Sequence, residues 1–303
     1  MVGQSVQSHK SFLDYEWLTP SSKSLNLLNY SSVHDYIRSH KPDMVIHAAG
    51  RVGGIQANIR EGSRFLVENL DMGRNVLLAS AQVGVPRLLN LASSCIYPKD
   101  KEGSLSEQDI LTGPLEPTNE GYALAKIAVL RLASLLSKES IHLTYKTLIP
   151  SNLYGPNDNF DPDWSHMIPA IIRKIHAAKV SGQESVEIWG NGEARREFLF
   201  VDDLANAIYR AITYFDSLPS LMNVGLGIDY SVNEYYKATA KIIGFDGTFT
   251  YNLNMPTGMR MKLSNTALAK SWGWSPVYSL ENGLALTYEY YTSVAEMFLR
   301  GPK

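Results

Sequence analysis

The chain has a single cysteine, Cys95, among 303 residues. An intrachain disulfide framework is excluded, and a cytoplasmic setting is the expectation. Long hydrophobic runs are lacking, and the first residues form no charged-then-apolar signal, so no membrane partner is expected. Charge of one sign is lacking as well: 28 Lys and Arg stand against 30 Asp and Glu, a net charge of −2. With no long basic run, nucleic acid and anionic lipid surfaces are poor partners. There are no internal repeats, low-complexity tracts or metal-ligand motifs. What remains is a 45% hydrophobic fraction, ordinary for a chain with a proper core. The length suits one large domain or two smaller ones.

Strands and helices alternate over the first half. Met1-Val2-Gly3 runs into the opening of a helix, and Tyr15-Glu16-Trp17-Leu18 reads as a short strand. Asp43 to Gly50 reads as a buried strand ending in the small-residue turn Ala48-Ala49-Gly50. His47 fits either a catalytic base or a strand-end histidine bonded to backbone. The pair Gly53-Gly54 lets backbone approach a ligand closely, or simply makes a loop. Ser63 to Val83 has helical periodicity, Arg87 to Ala92 reads as a buried strand, and Pro114 and Pro117 punctuate a long loop of the kind that carries function. Leu143 to Ile149 is a further strand, closed by Pro150-Ser151-Asn152-Leu153. This alternation predicts an α/β fold, a Rossmann-like doubly wound parallel sheet. Such folds open with an apolar strand and a glycine-rich turn. Met1 to Gly3 reads as the tail of that turn, so the first strand and most of the turn are expected to lie upstream of the given chain. Were the chain complete as given, cofactor binding would be badly weakened.

Past Pro156 the pattern is less regular. A polar stretch to Ser165 precedes a helix from His166-Met167-Ile168-Pro169 to about Ala178. Val186 to Trp189 reads as a strand, and Arg195 to Asp203 as a strand running into an aspartate-capped helix. A strand at Leu221 to Gly225 and helices near Val232 to Ile243 and Leu280 to Thr292 complete the chain. The expected division is a dinucleotide-binding domain, residues 1–155 plus roughly 197–225, and a smaller irregular α/β substrate lobe, roughly 156–196 and 226–303. Ligand is expected between them, at the carboxyl ends of the parallel strands.

The chemistry concentrates in Gly121-Tyr122-Ala123-Leu124-Ala125-Lys126, read with Ser93-Ser94-Cys95 about thirty residues upstream. Tyr122 and Lys126 fall one turn apart on one helix face. An ammonium beside a phenol favours the phenolate, which suits a phenol that passes a proton to a carbonyl oxygen while hydride moves at carbon. Ser93, at the end of a buried strand, can hydrogen-bond the same oxygen. Strand, serine and Tyr-x-x-x-Lys helix in this order resemble the extended short-chain dehydrogenase/reductase superfamily.

Longer strings narrow the resemblance. Val52-Gly53-Gly54-Ile55-Gln56-Ala57-Asn58, Ser93-Ser94-Cys95-Ile96-Tyr97-Pro98, Glu116-Pro117-Thr118-Asn119-Glu120-Gly121-Tyr122, Asn152 to Phe160 and Ser165 to Ala170 resemble the GDP-L-fucose synthase family over essentially the whole chain. That family epimerises GDP-4-keto-6-deoxy-mannose at C3 and C5 and reduces C4 with NADPH. The resemblance implies Cys95 and His166 as the acid–base pair, and Ser93, Tyr122 and Lys126 as the reductive set. It implies NADP contacts at Gly3, Ala48, Ala49, Gly50, Pro150, Asn152 and Leu153, with His166 adjoining. Lys23 fits the cofactor's 2′-phosphate or an ordinary turn. Val52, Gly53, Asn152, Lys174, Trp189 and Arg196 are implied for the sugar nucleotide, although Lys174 also fits solvated helix surface and Trp189 a core position. A homodimer through two long helices per subunit, Ser63–Val83 and Tyr122–Ser137, is implied too. A colitose-type relative acting on another GDP-keto-deoxyhexose, or a catalytically impaired nucleotide-binding homologue, would carry much the same strings.

Overall fold

Short apolar runs form the strands that support the site, in a computed structural model that describes residues 1–12, 15–255 and 259–300, with side chains to residue 294. In chain order the strands are β1 (Met44–His47), β2 (Arg87–Leu91), β3 (Thr144–Pro150), β4 (Asn152–Tyr154), β5 (Ser185–Trp189), β6 (Arg195–Arg196), β7 (Phe198–Phe200), β8 (Leu221–Val224), β9 (Tyr230–Ser231), β10 (Thr248–Asn252) and β11 (Met261–Lys262). The helices are α1 (Val2–Ser8), α2 (Tyr30–His40), α3 (Ile55–Arg60), α4 (Gly62–Val83), α5 (Glu120–Glu139), α6 (Met167–Ser181), α7 (Val201–Thr213), α8 (Val232–Ile243), α9 (Ala267–Ser271) and α10 (Leu280–Arg300).

The main sheet is parallel, in the order β1-β2-β3-β8, with Ile46 opposite Leu89, Leu89 opposite Lys146 and Leu148 opposite Met222. Beyond their first residue β2 and β3 are buried throughout, because helices cover both faces. Leu88 and Tyr145 pack with Val33 and Ile37 of α2, Val76 and Leu77 of α4 and Val129 of α5. Alternate residues Leu89, Leu91 and Leu148 turn the other way, onto Val6 of α1 and Leu204 and Ile208 of α7. The two long helices touch closely: a Cβ on Gly73 would stand 2.3 Å from Val129 Cγ2. A second core joins α6, α8 and α10 to β5 and β7 through Ile172, Ile188, Phe198, Tyr235 and Leu284. There β5 pairs with β10, and β6 lies between β11 and β9.

The doubly wound parallel sheet follows the sequence reading, with two local corrections. Tyr15 to Leu18 forms no ladder among the described residues; Trp17 instead packs edge-on against Phe12, ring centroids 5.1 Å apart. Helix α7 is not aspartate-capped: it starts at Val201 with Phe200 before it, and Asp202 and Asp203 fall inside the first turn. Asp203 accepts hydrogen bonds from the Val277 and Tyr278 amides at 2.8 and 3.3 Å, so tertiary contacts have taken the carboxylate from the cap position. No helix among the described residues is long and apolar enough to cross a membrane. No cluster of three or more His, Cys, Asp or Glu among them could hold a metal ion. The last expected residues of the lobe, 301–303, lie outside the described residues.

Candidate active site

A cavity of about 1930 Å³ runs past the carboxyl ends of β1, β2 and β3. Strand β2 delivers its reactive end to this cavity. Ser93 follows two residues after the strand, and its hydroxyl accepts from the Cys95 amide at 3.5 Å, opening a short 3-10 turn over Ser94–Ile96. That turn buries Cys95 at 6% exposure and leaves the Ser94 hydroxyl buried without a partner. Helix α5 brings Tyr122 and Lys126 alongside. The Lys126 ammonium donates to the Leu91 carbonyl at 3.0 Å and stands 5.7 Å from the centre of the Tyr122 ring. His166, the residue before α6, completes the wall.

All five residues implied as catalytic, Ser93, Cys95, Tyr122, Lys126 and His166, thus line one cavity. Gly3, Ala48, Ala49 and Gly50 line it as well, as do Val52, Gly53, Pro150, Asn152 and Leu153. Four do not. Lys23 is exposed. Lys174 and Trp189 pair on the second core, the ammonium 5.1 Å from the indole, while Lys174 Nζ donates to the Glu187 carbonyl at 3.2 Å. Arg196 sits on β6, directly beside Lys262 of β11. Lys262 is the residue the motifs did not mark. It lines the cavity and lies within Coulombic reach of Cys95, His166, Arg196 and Glu116. A lone lysine in Arg260-Met261-Lys262 carries no local signal; only the pairing of β11 with β6 places it.

Burial governs the electrostatics. It pushes the Cys95 thiol up, against the pull of Lys262, a hydrogen bond with Ser93, and Lys126. It holds the His166 imidazole below its ordinary value, and Lys262 adds to this. Lys126 is pushed down to about 8, with Cys95 opposing. The expected lowering of the Tyr122 phenol by Lys126 is not what the arrangement gives. Burial and then Cys95 push the phenol up, and the group pulling it back is Ser93. The ammonium is committed to the Leu91 carbonyl, and the phenol lies in a desolvated corner. His47 is 4% exposed and pushed down to about 3 by burial and by Lys126, so it is neutral near neutral pH.

The residues present fit a dinucleotide. A Cβ on Gly50 would come within 3.1 Å of Asn69 Oδ1 and 3.6 Å of Lys126 Nζ, so the bare glycine keeps the strand end open. The Ser151 hydroxyl, on the same wall, is buried without a partner. A neutral phenol, a hydroxyl and a nearby ammonium can together hold and protonate a carbonyl oxygen.

The family described as NAD dependent epimerase/dehydratase matches residues 1–225. The GDP-L-colitose synthase of Yersinia pseudotuberculosis is 51% identical over 96% of this chain and 94% of its own length. The GDP-L-fucose synthase of Azorhizobium caulinodans is 49% identical over 98% and 95%. Among solved structures, a GDP-mannoheptose C4 reductase from Campylobacter jejuni with NADP bound is 28% identical, with a TM-score of 0.86 over 96% of this chain and 95% of that one. A core, a strand-end serine and a Tyr-x-x-x-Lys helix arranged in this way, with matches of this length, lead to one statement: the chain belongs to the NAD dependent epimerase/dehydratase family, as an enzyme of its GDP-L-fucose and GDP-L-colitose synthase group.

Proposed function

We propose that the enzyme carries out NADPH-dependent 3,5-epimerisation and 4-reduction of a GDP-4-keto-6-deoxyhexose, with conversion of GDP-4-keto-6-deoxy-D-mannose to GDP-L-fucose as the first choice. The observation that carries this reading is the meeting of Ser93, Cys95, Tyr122, Lys126 and His166 on one cavity wall. A proton on the carbon next to a ketone is acidic only if the charge reaching the ketone oxygen is stabilised. The Tyr122 and Ser93 hydroxyls would donate to that oxygen, with Lys126 and Lys262 supplying positive charge nearby. Cys95 and His166 hold one mobile proton between a thiol and an imidazole. One takes the ring proton and the other returns a proton to the opposite face, inverting the centre. NADPH, when bound, supplies the hydride for C4. Tyr122 would give its proton to the C4 oxygen, and the Ser93 hydroxyl, the group that pulls the phenol back toward its ordinary acidity, would support the phenolate left behind.

Gly3, Ala48, Ala49 and Gly50 would hold the cofactor, with Pro150, Asn152 and Leu153 beside the nicotinamide. The NADP-bound relative favours the phosphorylated cofactor. Arg196 and Lys262 would meet the diphosphate, while Lys174 and Trp189 offer a cation and a flat face at the nucleoside end. In this reading residues 1–155 with roughly 197–225 form the cofactor domain and the rest the sugar-nucleotide lobe. Exposed Val67 on α4 and Leu135 on α5 support a homodimer through these helices.

The Yersinia relative favours a second reading, a colitose-type dideoxy substrate. Incubating the enzyme with NADPH and each GDP-keto-sugar separates the two. Turnover of the dideoxy ketone with none of the 6-deoxy-mannose ketone rejects the first choice. Turnover of neither rejects both.

A further inference from the structure

The segment carrying His166 is held by a stack that lies outside the reacting groups. The Trp164 ring carries two guanidiniums, Arg51 at 5.4 Å and Arg60 at 5.2 Å from its centre. Arg51 also lies 5.4 Å from the Phe65 ring, and Phe65 meets the Tyr122 ring edge-on at 6.4 Å. Arg51 is fixed from several sides. Glu61 pairs with it at 2.5 Å and Glu68 at 3.4 Å. Its amide donates to Asn69 Oδ1 at 2.9 Å, and Asn69 Nδ2 donates back to its carbonyl at 3.1 Å.

The His166 segment has few other ties in this direction. The Asn159, Asp161 and Asp163 amides donate to the Asp158, Asn159 and Asp161 side-chain oxygens, which shapes the turn without registering it against α5. Phe160 anchors the segment toward α10, stacking on Tyr290 and Tyr291. On the side of the Arg51–Gly54 loop, Trp164 is held by the ring contacts and by the Gly54 amide, which donates to the Trp164 carbonyl at 3.1 Å. A Cβ on Gly54 would stand 2.6 Å from the Ser165 carbonyl oxygen, so the loop must be glycine to come this close.

We propose that the Trp164–Arg51–Phe65 stack sets the place of His166 in the cavity it shares with Tyr122, making Trp164 and Arg51 positioning residues for proton transfer at the sugar ring. This rests on the function proposed above. Each cation–π contact is an electrostatic attraction between the guanidinium and the ring, and it strengthens when desolvated. Two such contacts on one tryptophan add to the hydrogen bond from the Gly54 amide in fixing the loop. A misplacement of about 1 Å at a proton-transfer group is enough to slow it up to about a hundredfold.

The test uses Trp164→Ala and Trp164→Phe in the full chain, with folding checked by circular dichroism. In Trp164→Ala, deuterium uptake into the GDP-keto-sugar from heavy water should slow at least about tenfold at saturation, with KM within about threefold. Trp164→Phe should recover most of the rate. Independently of substrate, the His166 ring is followed by NMR, assigned with His166→Gln. Lys262, within Coulombic reach of it, is present in both proteins. In Trp164→Ala it should titrate closer to the ordinary histidine range than in the wild type. Unchanged uptake with an unchanged His166 titration overturns the proposal. So does a raised KM with unchanged uptake at saturation, which would make Trp164 a wall of the sugar site. If the wild type takes up no deuterium from any GDP-keto-sugar, the functional reading fails, and the NMR comparison alone decides the stack.

Discussion

Tyr122 is a phenol that burial keeps protonated, and this suits it to donate rather than accept. Tyr122→Phe should lower NADPH oxidation by the keto-sugar about 10²–10⁴-fold, the usual worth of a positioned acid. Deuterium uptake next to the ketone should fall far less, because in the proposed site Ser93 would remain to donate to the oxygen; parallel assays of oxidation and uptake check this. Cys95→Ser should do the opposite: cofactor binding by calorimetry unchanged, uptake lost. Unchanged uptake removes the thiol from the mechanism. His47 gives a prediction about stability. The folded imidazole binds a proton only near pH 3, the unfolded one near 6.5, so the unfolded state takes up a proton throughout that window. Stability must fall as pH drops from 6.5 toward 3, by about 1.4 kcal/mol per pH unit from this residue. His47→Gln should flatten the decline between pH 6.5 and 4.5, read from denaturant midpoints at each pH.

At the scale of elements, the α4–α5 contact is the sharpest. With Val129 Cγ2 at 2.3 Å from a Cβ on Gly73, Gly73→Ala should destabilise by about 1–3 kcal/mol through overpacking. Val129→Ala makes room, so the double variant should be more stable than the sum of the two single changes predicts, measured as a thermal double-mutant cycle. These helices, and the strands between them, were legible in the sequence because their signal is local: a buried run ending in Ser93, and Tyr122 one turn from Lys126. What was not legible depends on distant partners. Asp203 has the look of a cap until the Val277 and Tyr278 amides claim it. Lys262 is one lysine among many until a two-residue strand lays it beside Arg196. The protonation of Tyr122 is set first by burial and then by Cys95, neither of which the helix spacing reveals. The spacing places the lysine correctly but says nothing of the Leu91 carbonyl, which engages its ammonium.

Across the whole molecule, Glu197 joins parts far apart in the chain. It is 1% exposed, and its carboxylate accepts from the Gly227 amide at 2.7 Å and the Ser264 amide at 2.8 Å. It thereby fixes the stretch that delivers Lys262. Glu197→Gln presents an amide where an amide already donates, and should destabilise by about 1–3 kcal/mol. KM for the GDP-sugar should rise while NADPH affinity holds; a rise in both would place the effect elsewhere. The Lys126–Leu91 bond has a wider bearing. Leu91 belongs to the same peptide stretch as Ser93 and Cys95, so ammonium, hydroxyl and thiol travel on one rail. His166 and Lys262 reach the same cavity from later segments of the chain. Evolution toward a new sugar can rework those segments by themselves, leaving the rail undisturbed.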